Sequence, residues 1–137
     1  MKWTAKKGHL QRQREEKQRQ FEKKQWAKSA AFDAKRGFTC ALLQFNVPSN
    51  FDKEEADSMR DRVAEVVGAE LLKMRIGRCD GGGVFNGYCT LYLDLKTSEL
   101  PGALKAVRRA IDESGLVEGA KISWKDNEDM VYREFCS

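Results

Sequence analysis

Apolar positions are sparse and irregular over residues 1–37 and strictly periodic over most of residues 38–125. Gln11 to Lys28 is built almost entirely from Gln, Arg, Glu and Lys, which are good helix formers. Leu10, Phe21 and Trp26 are too thinly spaced to make a core-facing stripe. A helix with so narrow an apolar face has little to hold it in water, so this arm is expected to be disordered or fraying when free and helical when laid on a partner. No sustained heptad repeat supports a coiled coil. From Ala27 the arm becomes more apolar, with Ala30, Ala31 and Phe32, and this part is a candidate for docking on the domain that begins after Gly37.

The remainder reads as strand, helix, strand, strand, helix, strand. Phe38 to Val47 is rich in strand formers and stops at Pro48. Asp52 and Glu55 fit a capping box, opening a helix that continues to about Gly68, with Ala56, Met59, Val63 and Val66 or Val67 at helical spacing. Glu70 to Arg78 alternates, placing Leu72, Met74 and Ile76 on one face of a second strand. Asp80 to Gly83 and Asn86-Gly87 are turn signals. Gly87 to Leu95 alternates again, with Cys89, Leu91, Leu93 and Leu95 on the core side and Tyr88, Thr90, Tyr92 and Asp94 opposite. Ser98 is the expected cap of a second helix whose inner face is Ala103, Val107, Ala110 and Ile111, and Gly115 ends it. Ala120 to Lys125 closes the series, with Ile122 and Trp124 pointing the same way.

Two helices over one face of a four-stranded antiparallel sheet is the α+β, ferredoxin-like split βαβ arrangement, βαββαβ, and right-handed crossovers with short connections leave few rivals. The expected organisation is therefore a basic N-terminal arm over 1–37, a ferredoxin-like domain over 38–130 and a C-terminal tail over 131–137.

Charge divides along the same line. Positions 1–37 carry 12 Lys/Arg and 4 Asp/Glu, a net of +8, whereas 38–137 carry 13 and 17, a net of −4. A basic arm on a mildly acidic domain points to an anionic partner for the arm. No window approaches the roughly 20 apolar residues that span a bilayer, so no membrane association is expected. The N-terminus lacks the apolar core of a secretory signal, and Glu15, Glu16 and Glu22 speak against an organelle transit peptide. Cys40, Cys79, Cys89 and Cys136 are not paired at metal-ligand spacing, so reduced thiols in an intracellular, cytoplasmic setting are expected, with no metal and no cofactor.

The sheet face away from the helices carries the most chemistry. Alternation places Leu42, Gln44 and Asn46 there from the first strand, Lys73 and Arg75 from the second, Tyr88, Thr90 and Tyr92 from the third, and Lys121, Ser123 and Lys125 from the fourth. Aromatics on a central strand flanked by cations suit unpaired bases stacked on rings with phosphates held at the edges. The competing occupant is protein: the arm, the acidic tail or a second copy. Asn86-Gly87-Tyr88-Cys89-Thr90-Leu91-Tyr92 resembles the third-strand signature of the RNA recognition motif at Gly87, Tyr88 and Leu91. It departs at Asn86, where that family has a basic residue, and at Thr90, where it has a second stacking aromatic. Phe45 of the first strand falls on the core side. The resemblance covers seven residues and implies the fold more than the RNA site.

In the arm, Lys6, Lys7, Arg12, Arg14, Arg19, Lys23, Lys24 and Lys28, interleaved with Trp3, Phe21 and Trp26, suit a tail threaded along RNA. Gly81-Gly82-Gly83 lacks the following Lys-Ser/Thr of a phosphate loop and reads as a mobile hairpin tip carrying Phe85, where Arg78 and Phe85 are free to touch a partner. His9, the single histidine, lies in the arm, and no catalytic constellation can be built in the domain. Asp57, Asp61 and Glu65 read as a solvated helix face. The expectation is a non-enzymatic RNA-binding or ribonucleoprotein subunit anchored by its arm. The alternative is a protein-interaction module (a small regulator, inhibitor or homodimerising adaptor) using the open sheet face or the 78–87 hairpin.

Overall fold

A computed structural model describes residues 2–136, and side chains from residue 10 onward. The chain runs α1 (Lys2–Arg36), β1 (Phe38–Asn46), α2 (Lys53–Met74), β2 (Gly77–Phe85), β3 (Tyr88–Lys96), a 3-10 turn at Thr97–Glu99, α3 (Leu100–Ser114), β4 (Lys121–Asp126) and β5 (Val131–Glu134). It is a mixed α+β fold with three helices and a five-stranded sheet in the order β2-β3-β1-β4-β5, every pair antiparallel.

The core lies between the sheet and the pair α2 and α3. Ala41, Leu43 and Phe45 of β1 alternate into it, as do Cys89, Leu91, Leu93 and Leu95 of β3, all at 1% exposure or less. From α2 they meet Val63, Val67 and Leu71, and from α3 Val107 and Ile111. Each such aliphatic side chain contributes about 1.5–3 kcal/mol on burial.

The capping box at the head of α2 is present: the Glu55 amide donates to Asp52 Oδ1 at 2.8 Å and Asp52 N–H reaches back to the Glu55 carboxylate at 3.4 Å. The helix then passes the expected stop at Gly68 and ends at Met74. Glycine costs about 1 kcal/mol in a helix, but the spacing Val63, Val67, Leu71 continues through it, and Leu71 is fully buried. Leu72 and Met74, expected on a strand face, stand in solvent, and only Ile76 of that set is buried. Arg75 closes the helix in the left-handed region at φ 56°, its N–H turned to the carbonyls of Leu71 and Leu72.

The second strand thus starts at Gly77 and absorbs the glycine run expected as a hairpin tip. The register shifts between Cys79 and Gly82. A Cβ on Gly82 would sit 2.5 Å from the Thr90 carbonyl oxygen, and one on Gly77 2.3 Å from that of Asp94, so β2 and β3 lie closer here than any side chain allows. The true tip is Asn86-Gly87, both at positive φ, as a two-residue hairpin turn requires. Ser98 is not a cap: it lies in the 3-10 turn, and α3 starts at Leu100 with Pro101 in its first turn and no side-chain cap bond. Gly115 ends α3 at φ 63° as expected.

Residues 131–134, expected as a tail, pair with β4 as a fifth strand. The return is fixed by Asp126, whose carboxylate accepts from Arg133 and from the amides of Glu128 and Asp129. The bond from Arg133 leads in holding that carboxyl below its ordinary range.

Candidate nucleic-acid interface

The sheet face opposite α2 and α3 is ordered in rows by the strand register. The first row joins Arg78 to Asp94 and Asp94 to Cys40, and on the far side Lys125 to Tyr132. The last third of α1 lies across this row. Trp26 and Ala30 are half-buried and Asp33 is buried, a spacing of four and three that lays one helical stripe on the sheet. Lys125, 6% exposed, donates to Asp33 Oδ2 at 3.4 Å and to Ser29 Oγ, and its ammonium lies 4.9 Å above the Trp26 ring. Asn127 also donates to Asp33, and Trp26 meets Tyr132 edge-on at 5.8 Å. At the other end, Asp94 accepts from Arg36 at 3.0 Å and from Arg78 at 3.2 Å. Beneath the helix the Cys40 thiol is pushed up by burial and then by the charges of Asp33 and Asp94.

Below this seam the face is open. Tyr92 pairs across Leu42 with Ser123, and Thr90 pairs across Gln44 with Lys121. Tyr88 sits between Asn46 and Phe85. Tyr92 is 49% exposed, Tyr88 37% and Phe85 78%. The result is three aromatic rings on two adjacent strands with the amide side chains of Gln44 and Asn46 beside them and one cation, Lys121, at the β4 edge.

The face assembles part of the expected set. Tyr88, Tyr92 and Lys121 share it. Lys73 does not, because it lies in the last turn of α2; neither does Arg75, the residue that caps that helix. Both belong to the helix layer because helical periodicity, not alternation, governs residues 70–74. Lys125 is on the right face but is enclosed by the arm and neutralised by Asp33, so it presents no charge to a phosphate. Arg12, Arg14, Arg19, Lys23, Lys24 and Lys28 are exposed along α1, while the side chains of Lys6 and Lys7 lie outside the described residues. Phe85 and Arg78 do not share the mobile tip expected for them. Phe85 is the last residue of β2, and Arg78 pairs with Asp94 near the strand's start. The signal for Phe85 is in the sequence: a two-residue turn at Asn86-Gly87 sets it directly opposite Tyr88.

Among the described residues no group of His, Cys, Asp and Glu is arranged to hold a metal ion, and no helix is long and apolar enough to cross a membrane. The chain matches no protein-family model, and no curated protein or solved structure matches it.

Proposed function

We propose that this chain is a non-enzymatic RNA-binding protein, a subunit of an intracellular ribonucleoprotein, whose arm helix is its anchor and whose domain is a ferredoxin-like split βαβ unit extended by one strand. The domain reading rests on the order β2-β3-β1-β4 with α2 and α3 crossing the same face. The functional reading rests on one observation: residues 10–25 of α1 are exposed along a continuous helix that carries a surplus of cations and, among its described side chains, docks only through its last third. Charge displayed on a rod beside an acidic domain is suited to a polyanion, whose condensed counterions are released on contact. The rings of Tyr88, Tyr92 and Phe85 then offer unpaired bases a stacking surface.

Residues 1–25 hold nine Lys/Arg and three Asp/Glu, so removing 2–25 takes the chain from a net of +4 to −2. Binding of a labelled uridine oligonucleotide of about 20 nucleotides, a length that spans arm and sheet, is measured against salt for the full chain and for the chain lacking 2–25. The truncated protein is expected to stay folded, since Trp26 to Arg36 are kept, and to lose most of its affinity and salt slope. Equal binding by the two proteins would refute the anchor role. Tyr88→Ala and Tyr92→Ala are each expected to weaken binding by about 1–3 kcal/mol at unchanged salt slope.

The second reading, a protein-interaction module, is favoured by Phe85, which is 78% exposed and sits directly opposite the exposed Tyr88 on the neighbouring strand. Under that reading Phe85→Ser changes the oligomeric state or frees a protein partner while RNA affinity is untouched.

A further inference from the structure

The arm is not uniformly basic around its circumference. At about 100° per residue, the docked positions Trp26, Ala30 and Asp33 define the side of α1 that faces the sheet, and every other residue from 10 to 36 can be placed relative to it. All four acids, Glu15, Glu16, Glu22 and Asp33, fall in the sheet-facing half. So do Arg12, Arg19, Lys23 and, at its margin, Arg36, leaving that half neutral. Arg14, Lys17, Lys24, Lys28 and Lys35 fall in a narrow stripe on the far side, with no acid among them. None of these five has an ion-pair partner among the described residues.

The exposed apolar residues of α1 lie on the same stripe. Leu10, Phe21 and Phe32 are 53%, 57% and 59% exposed. They recur every eleven residues, three helical turns or about 16 Å, with two cations in each interval. On the sheet-facing side Trp26 is used for docking. On the far side Leu10 and Phe21 stand exposed, and Phe32 carries the Arg36 guanidinium 4.9 Å from its ring centre while leaving more than half of its surface open, yet their spacing keeps the three in line.

From this we infer that the far side of α1 is a linear binding stripe for single-stranded RNA, in which Arg14, Lys17, Lys24, Lys28 and Lys35 hold consecutive phosphates and Phe21 and Phe32 stack on bases between them. The inference rests on the RNA reading and adds the face that carries it. Charge selects the occupant. Five unpaired cations in line repel the same stripe of a second copy. Three apolar side chains separated by cations make no continuous apolar face to sink into a lipid surface. Duplexes hide their base faces, whereas unpaired strands offer them to rings. The sheet's open rings, Tyr88, Tyr92 and Phe85, have the same preference.

The test removes equal charge from the two sides of one helix in the full chain. Lys17→Gln/Lys24→Gln/Lys28→Gln empties the stripe, and Arg12→Gln/Arg19→Gln/Lys23→Gln empties the sheet-facing half. Glutamine keeps helix propensity close to that of Lys and Arg, and ellipticity at 222 nm confirms equal helicity. Against the same uridine oligonucleotide, the stripe variant is expected to lose at least about thirtyfold in affinity and about two units of salt slope, at roughly 0.7 per single-strand phosphate contact. The sheet-side variant is expected to lose no more than about threefold. Phe21→Ala is expected to lose about tenfold with the slope retained. Equal losses in the two triple variants overturn the stripe while leaving RNA binding standing. A full chain that does not bind the oligonucleotide overturns the RNA reading itself. A stripe variant that binds normally but changes its sedimentation overturns the stripe in favour of self-association.

Discussion

The two parts of α1 are one continuous helix held by different physics. Over Trp26 to Arg36 every third or fourth residue meets the sheet, through a buried ion pair, an edge-on ring pair and the Arg36–Asp94 bridge. Over 10–25 no residue is buried or half-buried, and helical order there rests on propensity and continuity with the docked part. The sign of the charge does not distinguish the two, since each carries more cations than acids. What separates them is whether a charged side chain has a counterpart on the sheet: Asp33 has Lys125, while Lys17 and Lys24 have no ion-pair partner among the described residues. A basic arm is thus also an acidic latch at one position, and that position decides where the arm is joined to the domain. The latch carries a cost of its own. The indole N–H of Trp26 and Oδ1 of Asn127 are buried with no partner among the described residues, each offsetting about 1–3 kcal/mol of what the seam gains.

The largest effect belongs to the latch. Asp33→Ala leaves the Lys125 ammonium buried against Ser29 and Trp26 with no counter-charge, and breaking one side of a buried pair costs about 3 kcal/mol or more. The expected result is a loss of about 3 kcal/mol in urea unfolding, with amides of 26–36 exchanging faster because lifting the helix is the cheapest way to hydrate Lys125. Asp33→Asn, which keeps an acceptor, is expected to lose less. Lys17→Ala in the undocked part is expected to stay within about 0.5 kcal/mol. Equal costs at Asp33 and Lys17 would erase the distinction between the two parts.

A smaller effect reads the seam from below. Cys40 lies under the docked helix with its thiol pushed up by burial and by Asp33 and Asp94. Cys89 is fully buried and pushed up to about 11. Cys136 is exposed. The raised values keep the Cys40 and Cys89 thiols protonated and unreactive at about pH 8. Iodoacetamide should therefore label Cys136 first, Cys40 slowly and Cys89 last. Trp26→Ala removes the ring that packs on Tyr132 and Lys125, and is expected to speed Cys40 about tenfold with Cys89 unchanged. If Cys40 keeps its rate, the helix is not what shields it.

Much of the domain is legible in the sequence because periodicity reports burial. The alternation of Cys89, Leu91, Leu93 and Leu95, the capping box at Asp52 and the stop at Gly115 all appear where their residues place them. The misreadings have separate causes. Residues 70–76 satisfy both periods, since Leu72, Met74 and Ile76 alternate while Leu71 continues the helical series from Val63. The series reaching the core decides, at the expense of Lys73 and Arg75 as sheet cations. Val131 to Glu134 is too short and too polar to announce itself, and forms a strand only because β4 offers a free edge. Alternation puts Lys125 on the correct face. That it meets Asp33 and not a phosphate depends on a contact 92 residues away in sequence, which no local pattern encodes. Lys17 and Lys35, absent from the expected contacts, are within reach of a helical projection once the arm is taken as a helix.

The smallest effect tests whether the undocked part folds on its own account. Gly8 lies inside the α1 span, and glycine there costs about 0.5–1 kcal/mol relative to alanine. In a cooperative unit that sum would appear in the unfolding midpoint of the whole protein. In a segment without tertiary contacts it appears only in the local helix–coil balance, which is marginal for an unpacked helix. Gly8→Ala is therefore expected to raise ellipticity at 222 nm and leave the urea midpoint of the domain unchanged. The same free energy should surface on binding. If the oligonucleotide takes the arm as a helix, ordering it beforehand removes part of the cost of association, and the affinity should rise by about two- to fivefold. A shifted midpoint would mean that the basic part of α1 belongs to the same cooperative unit as the sheet, and the contrast between its two parts would then be one of charge alone.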